Sequence, residues 1–188
     1  MHAPGARRPG RLALVALGSN LGDRREQLAS ARAHIALLPG TVLVAASTIE
    51  ETAPLGGTPQ PAYLNQMVAV HTLLPAEELL HALHAIERLH GRERRDRWDP
   101  RTLDLDIVEI DGEVREDGPL LLPHPGLPER DFWQRERGEL RSLMLASPTA
   151  APPPRELPHD PLHLPRWAVA GTARRAHIER VTRLLGEW

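Results

Sequence analysis

The sequence predicts one α+β domain in which a mainly antiparallel sheet is flanked by helices. The chain has 188 residues, which is about the length of a single domain. Segments with strand and helix periodicity follow one another in the order β-α-β-β-α-β. Asp111-Gly112 is a typical hairpin turn, and such turns join antiparallel strands. These observations favour an antiparallel sheet over a parallel nucleotide-binding sheet.

The first strand and helix are predicted from an apolar run and a capping signal. Leu12–Leu17 is continuously apolar and is followed by a glycine, as is typical of a buried strand. Asp23 and Glu26 have the spacing of a capping box, so we expect a helix to begin there. Apolar residues then recur at helical intervals until Pro39-Gly40 ends the helix.

Two further strands are predicted at Val42–Ser47 and Tyr63–Thr72. Successive side chains of a strand point to opposite faces, so the second of these strands has one mixed and one apolar face. Tyr63, Asn65, Met67 and Ala69 share the mixed face, and Leu64, Val68 and Val70 share the apolar face.

The clearest helix is predicted from Pro75 to His90, and Gly91 provides its C-terminal stop. The strand Thr102–Ile110 follows, and we expect a short return strand near Val114 after the hairpin turn. This order of elements corresponds to a ferredoxin-like α/β sandwich.

The two ends of the chain differ in composition from the part between them. Residues 1–10 are expected to form a flexible leader, and residues 11–147 the folded domain. Seven of the 19 prolines lie between Pro148 and Pro165, which favours an extended segment over helix or central strand. Residues 148–188 are thus predicted to form a proline-rich segment with a short helix at Thr172–Leu185.

Composition excludes several classes of function. The chain has no cysteine, and all 23 of its basic residues are arginine, so thiolate and lysine chemistry are both excluded. A net charge of -2 and an aromatic content of 3% argue against nucleic-acid binding. The apolar run Leu12–Leu17 is too short to cross a membrane and has no cleavage site after it. We therefore expect a cytoplasmic protein.

Asp104 and Asp106 are the strongest local signal of chemistry. In a strand they project from one face, whereas their apolar neighbours project into the core. Two carboxylates so close together repel each other unless a cation lies between them. Hard oxygen ligands without a soft donor favour Mg²⁺. The alternative is an edge strand with one solvated face.

A group of arginines directly precedes these carboxylates. Arginine binds phosphate oxygens bidentately, and paired carboxylates hold the metal ions that neutralise the same phosphates. The combination predicts a Mg²⁺–nucleotide site, and the alternative is a network of salt bridges within the loop. The arginines are Arg92, Arg94, Arg95, Arg97 and Arg101.

Residues 97–106 resemble the signature of a known enzyme family. They read R-W-D-P-R-T-L-D-L-D, and the 6-hydroxymethyl-7,8-dihydropterin pyrophosphokinase family has R-W-G-P-R-T-L-D-L-D. The resemblance covers about residues 11–133. Supporting blocks in the same order are L-G-S-N-L-G at 17–22, T-A-P-L-G at 52–56, Y-L-N at 63–65, I-E at 86–87 leading to G-R at 91–92, and P-H-P at 123–125.

The resemblance implies an enzyme that transfers the pyrophosphoryl group of ATP to the hydroxymethyl oxygen of a reduced pterin and releases AMP, in folate biosynthesis. It implies that Asp104 and Asp106 hold two Mg²⁺ ions, with ATP as co-substrate. Arg92 and Arg101 would stabilise the transferring group. We expect a monomer with no nucleic-acid or membrane partner.

The same resemblance implies two sets of binding residues. Tyr63 and Phe132 are the only tyrosine and phenylalanine of the chain, and both suit a flat heterocycle. Asn65 offers a donor and acceptors to a pterin edge. The implied ATP-binding residues are Glu87, Arg92, Arg94, Trp98, Arg101, His124 and Arg130. The implied pterin-binding residues are Thr52, Leu55, Tyr63, Asn65, Trp98 and Phe132.

The chain departs from the family pattern after Phe132. The family continues there with an apolar strand, whereas residues 133–139 are polar and helix-prone, so the sheet would lack that strand or be completed differently. Asp99, Ala53 and Pro125 also replace a usual glycine, proline and aromatic residue. Two other hypotheses stay open: a relative that binds ATP and pterin without efficient turnover, and a phosphoesterase that uses water as acceptor.

Overall fold

The computed structural model describes residues 10–54, 59–91 and 101–146. These residues form five strands and three helices. In chain order the elements are β1 (Arg11–Ser19), α1 (Arg24–Ala36), β2 (Thr41–Ala46), β3 (Glu50–Thr52), β4 (Tyr63–Thr72), α2 (Ala76–Leu89), β5 (Asp104–Ile110) and α3 (Asp131–Ala146). The short strand β3 is the one that was not predicted.

All strand pairs of the sheet are antiparallel, and the strand order is β2-β4-β1-β5. The long strand β4 pairs with β1 along one edge, and with β3 and then β2 along the other. In the described part of the chain, β5 is an edge strand next to β1. The predicted antiparallel α+β sandwich is therefore confirmed.

Helices α1 and α2 cover one face of the sheet and enclose the larger of two apolar clusters. This cluster contains 22 buried residues in the described segments, among them Val15 of β1 and Val68 of β4. Leu79, Leu83 and Ile86 form part of the buried side of α2, as their helical spacing predicts. We call this side of the sheet the packed face.

Helix α3 covers the opposite face, where the apolar cluster is smaller. Nine buried residues of the described segments belong to this cluster, including Phe132, Trp133 and Leu140 of α3 and Met67 of β4. The segment that departs from the family pattern therefore forms a helix over the sheet, which confirms its helical preference. We call this side of the sheet the α3 face.

Polar residues of α3 explain why this segment is not apolar. They lie beside the sheet edges and make ion pairs or hydrogen bonds there, so the helix is attached by its flanks as well as by its buried side. The three pairs are Arg137 with Glu109 of β5 at 2.6 Å, Arg135 with Glu50 of β3 at 2.5 Å, and the Glu139 carboxylate with the hydroxyl of Thr48 at 2.9 Å.

The return strand expected near Val114 is wrong. The turn at Asp111-Gly112 is present, with a φ of 70° at Gly112, but the chain then leaves the sheet and Val114 is 72% exposed. Arg115 forms an isolated bridge with Leu122 through N···O distances of 2.9 and 3.0 Å. The charged, glycine- and proline-containing residues 116–119 turn the chain back on itself and prevent an extended pairing with β5.

The other local predictions have mixed outcomes. The helix cap is confirmed, since the Asp23 carboxylate accepts a hydrogen bond from the backbone N–H of Glu26 at 3.1 Å. Within the described segments, no helix is both long and apolar enough to cross a membrane. Residues 1–9 of the expected leader 1–10 and the segment 148–188, with the helix expected at Thr172–Leu185, lie outside the described residues. The domain limits at 11 and 147 stay predictions.

Candidate active site

A cavity of about 300 Å³ lies on the α3 face, where β1 ends and β4 and β5 begin. Its lining comes from four strands of the sheet, the segments next to them, the first turn of α3 and the segment before that helix. Nine residues assigned by the family resemblance line it together: Thr52, Tyr63, Asn65, Arg101, Asp104, Asp106, His124, Arg130 and Phe132.

The floor of the cavity follows from the register of three neighbouring strands. Gly18 of β1 is paired with Asn65 of β4 on one side and with Asp104 of β5 on the other. A Cβ atom at Gly18 would lie 3.4 Å from the Asn65 Oδ1 and 4.0 Å from the Asp104 Cβ. One row further along, Ala16 is paired with Asp106 in the same way. Small residues on the central strand therefore leave space between the polar side chains of its neighbours.

Asp104 and Asp106 share one face of β5, as predicted. The residues between and beside them, Leu103, Leu105 and Ile107, are at most 2% exposed and belong to the core of the packed face. Alternation along the strand thus directs the two carboxylates into the cavity. Both carboxylates are partly exposed, with side-chain exposures of 21% and 32%, and they line an open cavity.

Each of these carboxylates faces an arginine. The Arg101 Nη1 lies 2.5 Å from the Asp104 Oδ2, and the Arg130 Nη1 lies 3.6 Å from the Asp106 Oδ2. Partial burial works against the charged form of Arg101, but the charge and hydrogen bond of Asp104 outweigh it, so its pKa lies above the ordinary value. The cavity therefore places two cationic and two anionic groups next to one another.

The part of the cavity assigned to pterin is lined by an amide, a hydroxyl and aromatic rings. The Asn65 Nδ2 donates a hydrogen bond to the Thr52 Oγ1 at 2.8 Å, which orients the amide. The Tyr63 hydroxyl donates to the Gln60 Oε1 at 3.4 Å. Phe132 lies at the start of α3 and is 8% exposed. A flat heterocycle with polar edges suits such a lining.

His124 and Arg130 are held in place by a residue that the sequence analysis did not single out, Trp133. The Arg130 guanidinium lies 4.1 Å above the Trp133 ring, and the His124 ring meets that ring edge-on at 5.0 Å. The His124 Nδ1 accepts a hydrogen bond from the Gly126 N–H, so in the neutral ring the proton is on Nε2. Burial, followed by the charge of Arg130, lowers the pKa of His124.

Glu87 is the one described residue of the predicted set that does not line the cavity. It is 2% exposed on α2, and its Oε1 accepts a hydrogen bond from the Leu105 N–H at 2.8 Å. It thus joins α2 to the strand that carries the two aspartates. The remaining predicted residues, Leu55, Arg92, Arg94 and Trp98, lie outside the described residues.

The carboxylates of the cavity can be compared with the ligands that a divalent cation prefers. Asp104 and Asp106 supply carboxylate oxygens only, and the described segments contain no group of three or more His, Cys, Asp or Glu side chains placed to hold a metal ion. Mg²⁺ is usually held by one or two carboxylates together with substrate phosphates and water. The two aspartates therefore fit Mg²⁺ that arrives with a nucleotide, and they do not form a complete protein cage.

Comparisons with known proteins show the family to which the chain belongs. Residues 14–141 match the family model of 7,8-dihydro-6-hydroxymethylpterin-pyrophosphokinase. The chain is 42% identical over 120 residues to the 2-amino-4-hydroxy-6-hydroxymethyldihydropteridine pyrophosphokinase of Methylorubrum extorquens, covering 64% of this chain and 76% of that protein. It is 44% identical over 118 residues to the Pseudomonas aeruginosa enzyme of the same name, covering 63% and 73%. The chain belongs to the 7,8-dihydro-6-hydroxymethylpterin-pyrophosphokinase family.

Proposed function

We propose that this protein transfers the pyrophosphoryl group of ATP to the hydroxymethyl oxygen of 6-hydroxymethyl-7,8-dihydropterin in folate biosynthesis. The observation that carries the proposal is the meeting of two linings in one cavity. Asp104, Asp106 and two arginines suit a metal–triphosphate, and Tyr63 and Asn65 suit a flat heterocycle. A transfer between two substrates needs both linings side by side.

The acceptor lining contributes shape and hydrogen bonds. Tyr63 and Phe132 offer ring surface to the pterin, which favours stacking over a site for an aliphatic alcohol. The Asn65 amide is held by Thr52, so its remaining donor and acceptor positions are presented in a fixed direction. Water as acceptor would leave these three residues without a role, and the phosphoesterase hypothesis is weaker for that reason.

The donor lining contributes charge. In the transfer the hydroxymethyl oxygen loses its proton to solvent and forms a bond to the β-phosphorus of ATP. The bond from that phosphorus to the oxygen bridging it to the α-phosphorus breaks, and AMP leaves with that oxygen. Arg101 and Arg130 are positioned to offset the negative charge of the phosphates, and the His124 Nε2–H is a further donor. Positioning and charge account for most of the catalysis of such transfers.

Mg²⁺ completes the proposal. Asp104 and Asp106 would hold two ions together with the triphosphate, and the metal would neutralise phosphate charge in the transition state. The described part of the cavity retains the polar and aromatic residues that both substrates need, so we propose an active enzyme rather than a binding-only relative. The monomeric state and the cytoplasmic location stay predictions.

Product analysis tests the proposed function directly. Purified protein is incubated with ATP, Mg²⁺ and 6-hydroxymethyl-7,8-dihydropterin, and the nucleotides and pterins are separated. We expect AMP and pterin diphosphate in equal amounts, no AMP without pterin, and loss of activity with a chelator that added Mg²⁺ reverses. Release of ADP or inorganic phosphate in place of AMP would overturn the proposal, and phosphate release without pterin would indicate a phosphoesterase.

A further inference from the structure

Asn20 lies at the turn between β1 and α1 and joins two distant segments of the chain. It is 2% exposed. Its Oδ1 accepts a hydrogen bond from the Arg101 N–H at 2.7 Å, and its own N–H donates to the Arg101 carbonyl at 3.1 Å. Its Nδ2 donates to the Gln60 Oε1 at 2.9 Å and to the Pro61 carbonyl at 3.3 Å. The nitrogen and the oxygen of the buried Asn20 amide are therefore both hydrogen-bonded, the nitrogen to residues 60 and 61 and the oxygen to Arg101.

On one side, Asn20 sets the position of the donor lining. Both backbone groups of Arg101 are bonded to Asn20, so the residue is fixed just before β5 begins. The Arg101 guanidinium then reaches the Asp104 carboxylate at 2.5 Å. A displacement of the Arg101 backbone would move a charged group that faces the phosphates.

On the other side, Asn20 sets the position of the acceptor lining. Gln60 lines the cavity, and its Oε1 accepts hydrogen bonds from both the Asn20 amide and the Tyr63 hydroxyl. One oxygen is thus shared by the buried amide and by the ring assigned to pterin. Loss of the Asn20 amide donor would leave Gln60 free to rotate away from Tyr63.

We propose that Asn20 is a positioning residue that holds the acceptor and donor linings in register across the cavity. The inference rests on the proposed function, because it assigns one substrate to each lining. An ordinary buried turn residue would affect only folding. A positioning residue changes the kinetic constants of folded enzyme, and it does so separately for each substrate according to which of its hydrogen bonds is removed.

Two substitutions separate the two sides of Asn20. Asn20→Asp keeps the acceptor for the Arg101 N–H and removes both donors toward Gln60 and Pro61. We expect it to raise the KM for pterin roughly three- to tenfold, the usual effect of a lost hydrogen bond, with the KM for ATP within about twofold. Asn20→Ala also removes the Oδ1 acceptor for the Arg101 N–H and keeps only the backbone hydrogen bond to the Arg101 carbonyl, so we expect kcat to fall as well by roughly threefold or more.

Ser19 provides a matched control in the same turn. It is 0% exposed, and within the described residues its Oγ has no hydrogen-bond partner, so Ser19→Ala removes a buried hydroxyl that bridges nothing. We expect both KM values of Ser19→Ala to stay within about twofold of the wild type. Gln60→Met removes the shared acceptor from the opposite end and should reproduce the pterin effect of Asn20→Asp, including where the latter does not fold.

Steady-state kinetics of these four variants, with both substrates varied, decide the matter. A higher KM for pterin in Asn20→Asp, or in Gln60→Met where Asn20→Asp does not fold, at an unchanged KM for ATP, supports the inference. If the KM for pterin, divided by that of an active wild type, is the same in Asn20→Asp, Gln60→Met and Ser19→Ala, the inference is overturned and the proposed function is left intact. A wild type that forms no AMP would overturn both.

Discussion

The two faces of the sheet differ in what they contain, although the same strands form both. The packed face has 22 buried apolar residues in the described segments, and the α3 face has nine. The packed face is covered by two helices, whereas the α3 face is covered by one helix that leaves the ends of β1, β4 and β5 open. The cavity occupies that open end.

This difference follows from alternation along each strand. On β5, Leu105 and Ile107 point to the packed face, and Asp104 and Asp106 point to the cavity. Stability and chemistry are therefore assigned to opposite sides of the same backbone. Substitutions in the core of the packed face should change unfolding free energy with little effect on turnover, and substitutions of the cavity residues should do the reverse.

The largest change in stability is expected on the packed face. Leu83 is 0% exposed within the α2 side of that core, so Leu83→Ala removes buried methyl groups and leaves a cavity. We expect the free energy of unfolding to fall by about 2–5 kcal/mol. Urea denaturation measures the loss, and the kcat of the remaining folded enzyme should be unchanged at a temperature well below the midpoint. A large fall in that kcat would contradict the separation of the two faces.

The largest change in rate is expected at the cavity. Asp104→Asn and Asp106→Asn each remove one negative charge that is implied in holding metal, at the same side-chain size. Loss of one preorganised electrostatic contact usually costs on the order of 10²–10³ in rate, and we expect turnover to fall by that factor with a similar Tm. Glu109→Gln is the matched control, because Glu109 lies on the same strand but is paired with Arg137 of α3. Turnover of either aspartate variant within about threefold of wild type would contradict the assignment.

A smaller and more selective effect is expected at Tyr63. Tyr63→Ala removes a ring that lines the cavity, and stacking on an aromatic ring contributes roughly 1–3 kcal/mol. We expect weaker binding of the pterin and nearly unchanged binding of a non-hydrolysable ATP analogue, each measured by calorimetry. Tyr63→Phe keeps the ring but loses the hydrogen bond from its hydroxyl to Gln60, so we expect pterin binding to weaken only roughly three- to tenfold, less than in Tyr63→Ala. Equal losses for both ligands would indicate a structural role.

The α3 face also carries a buried carboxyl group that makes its stability depend on pH. Glu136 is 2% exposed, and neither of its oxygens has a hydrogen-bond partner within the described residues. Burial, with the charges of Glu50 and Glu139, raises the pKa of Glu136 to about 8. Its folded pKa is above the unfolded value, so its contribution is fully present below about pH 4.5 and is lost as the pH rises to about 8.

Glu136→Gln should remove this dependence. Release of a single proton changes the unfolding free energy by at most about 1.4 kcal/mol per pH unit. We expect the wild type to lose more unfolding free energy than the variant between pH 5 and pH 8. Urea denaturation at the two pH values measures both slopes. Parallel pH profiles for the two proteins would show that Glu136 is already ionised in the folded state.

Local patterns in the sequence were sufficient for most elements, whereas most residues of the two linings were named from the family resemblance. The helix pattern of α2 and the alternation of β5 predicted which residues are buried, and the same alternation predicted that Asp104 and Asp106 share one face. Each of these signals lies within one element, where periodicity alone determines the face. The short strand β3 was missed because three residues are too few to show a period.

Features that depend on contacts between distant segments could not be predicted. Asn20 is 81 residues from Arg101 and 40 from Gln60 in the chain, and nothing in its neighbourhood indicates either partner. The space above Gly18 depends on the register of β1 between two other strands. Trp133 stands next to Phe132 in a polar segment, and its role beneath Arg130 depends on how α3 packs.

Metal stoichiometry tests the central claim most directly, because it asks whether the open end of the α3 face holds a metal–triphosphate. Mn²⁺ replaces Mg²⁺, and bound ions are counted by electron paramagnetic resonance with a non-hydrolysable ATP analogue present. We predict about two ions per chain for the wild type and for Glu109→Gln, and fewer for Asp104→Asn and Asp106→Asn. Equal numbers of ions, bound with equal affinity by all four proteins, would contradict the account.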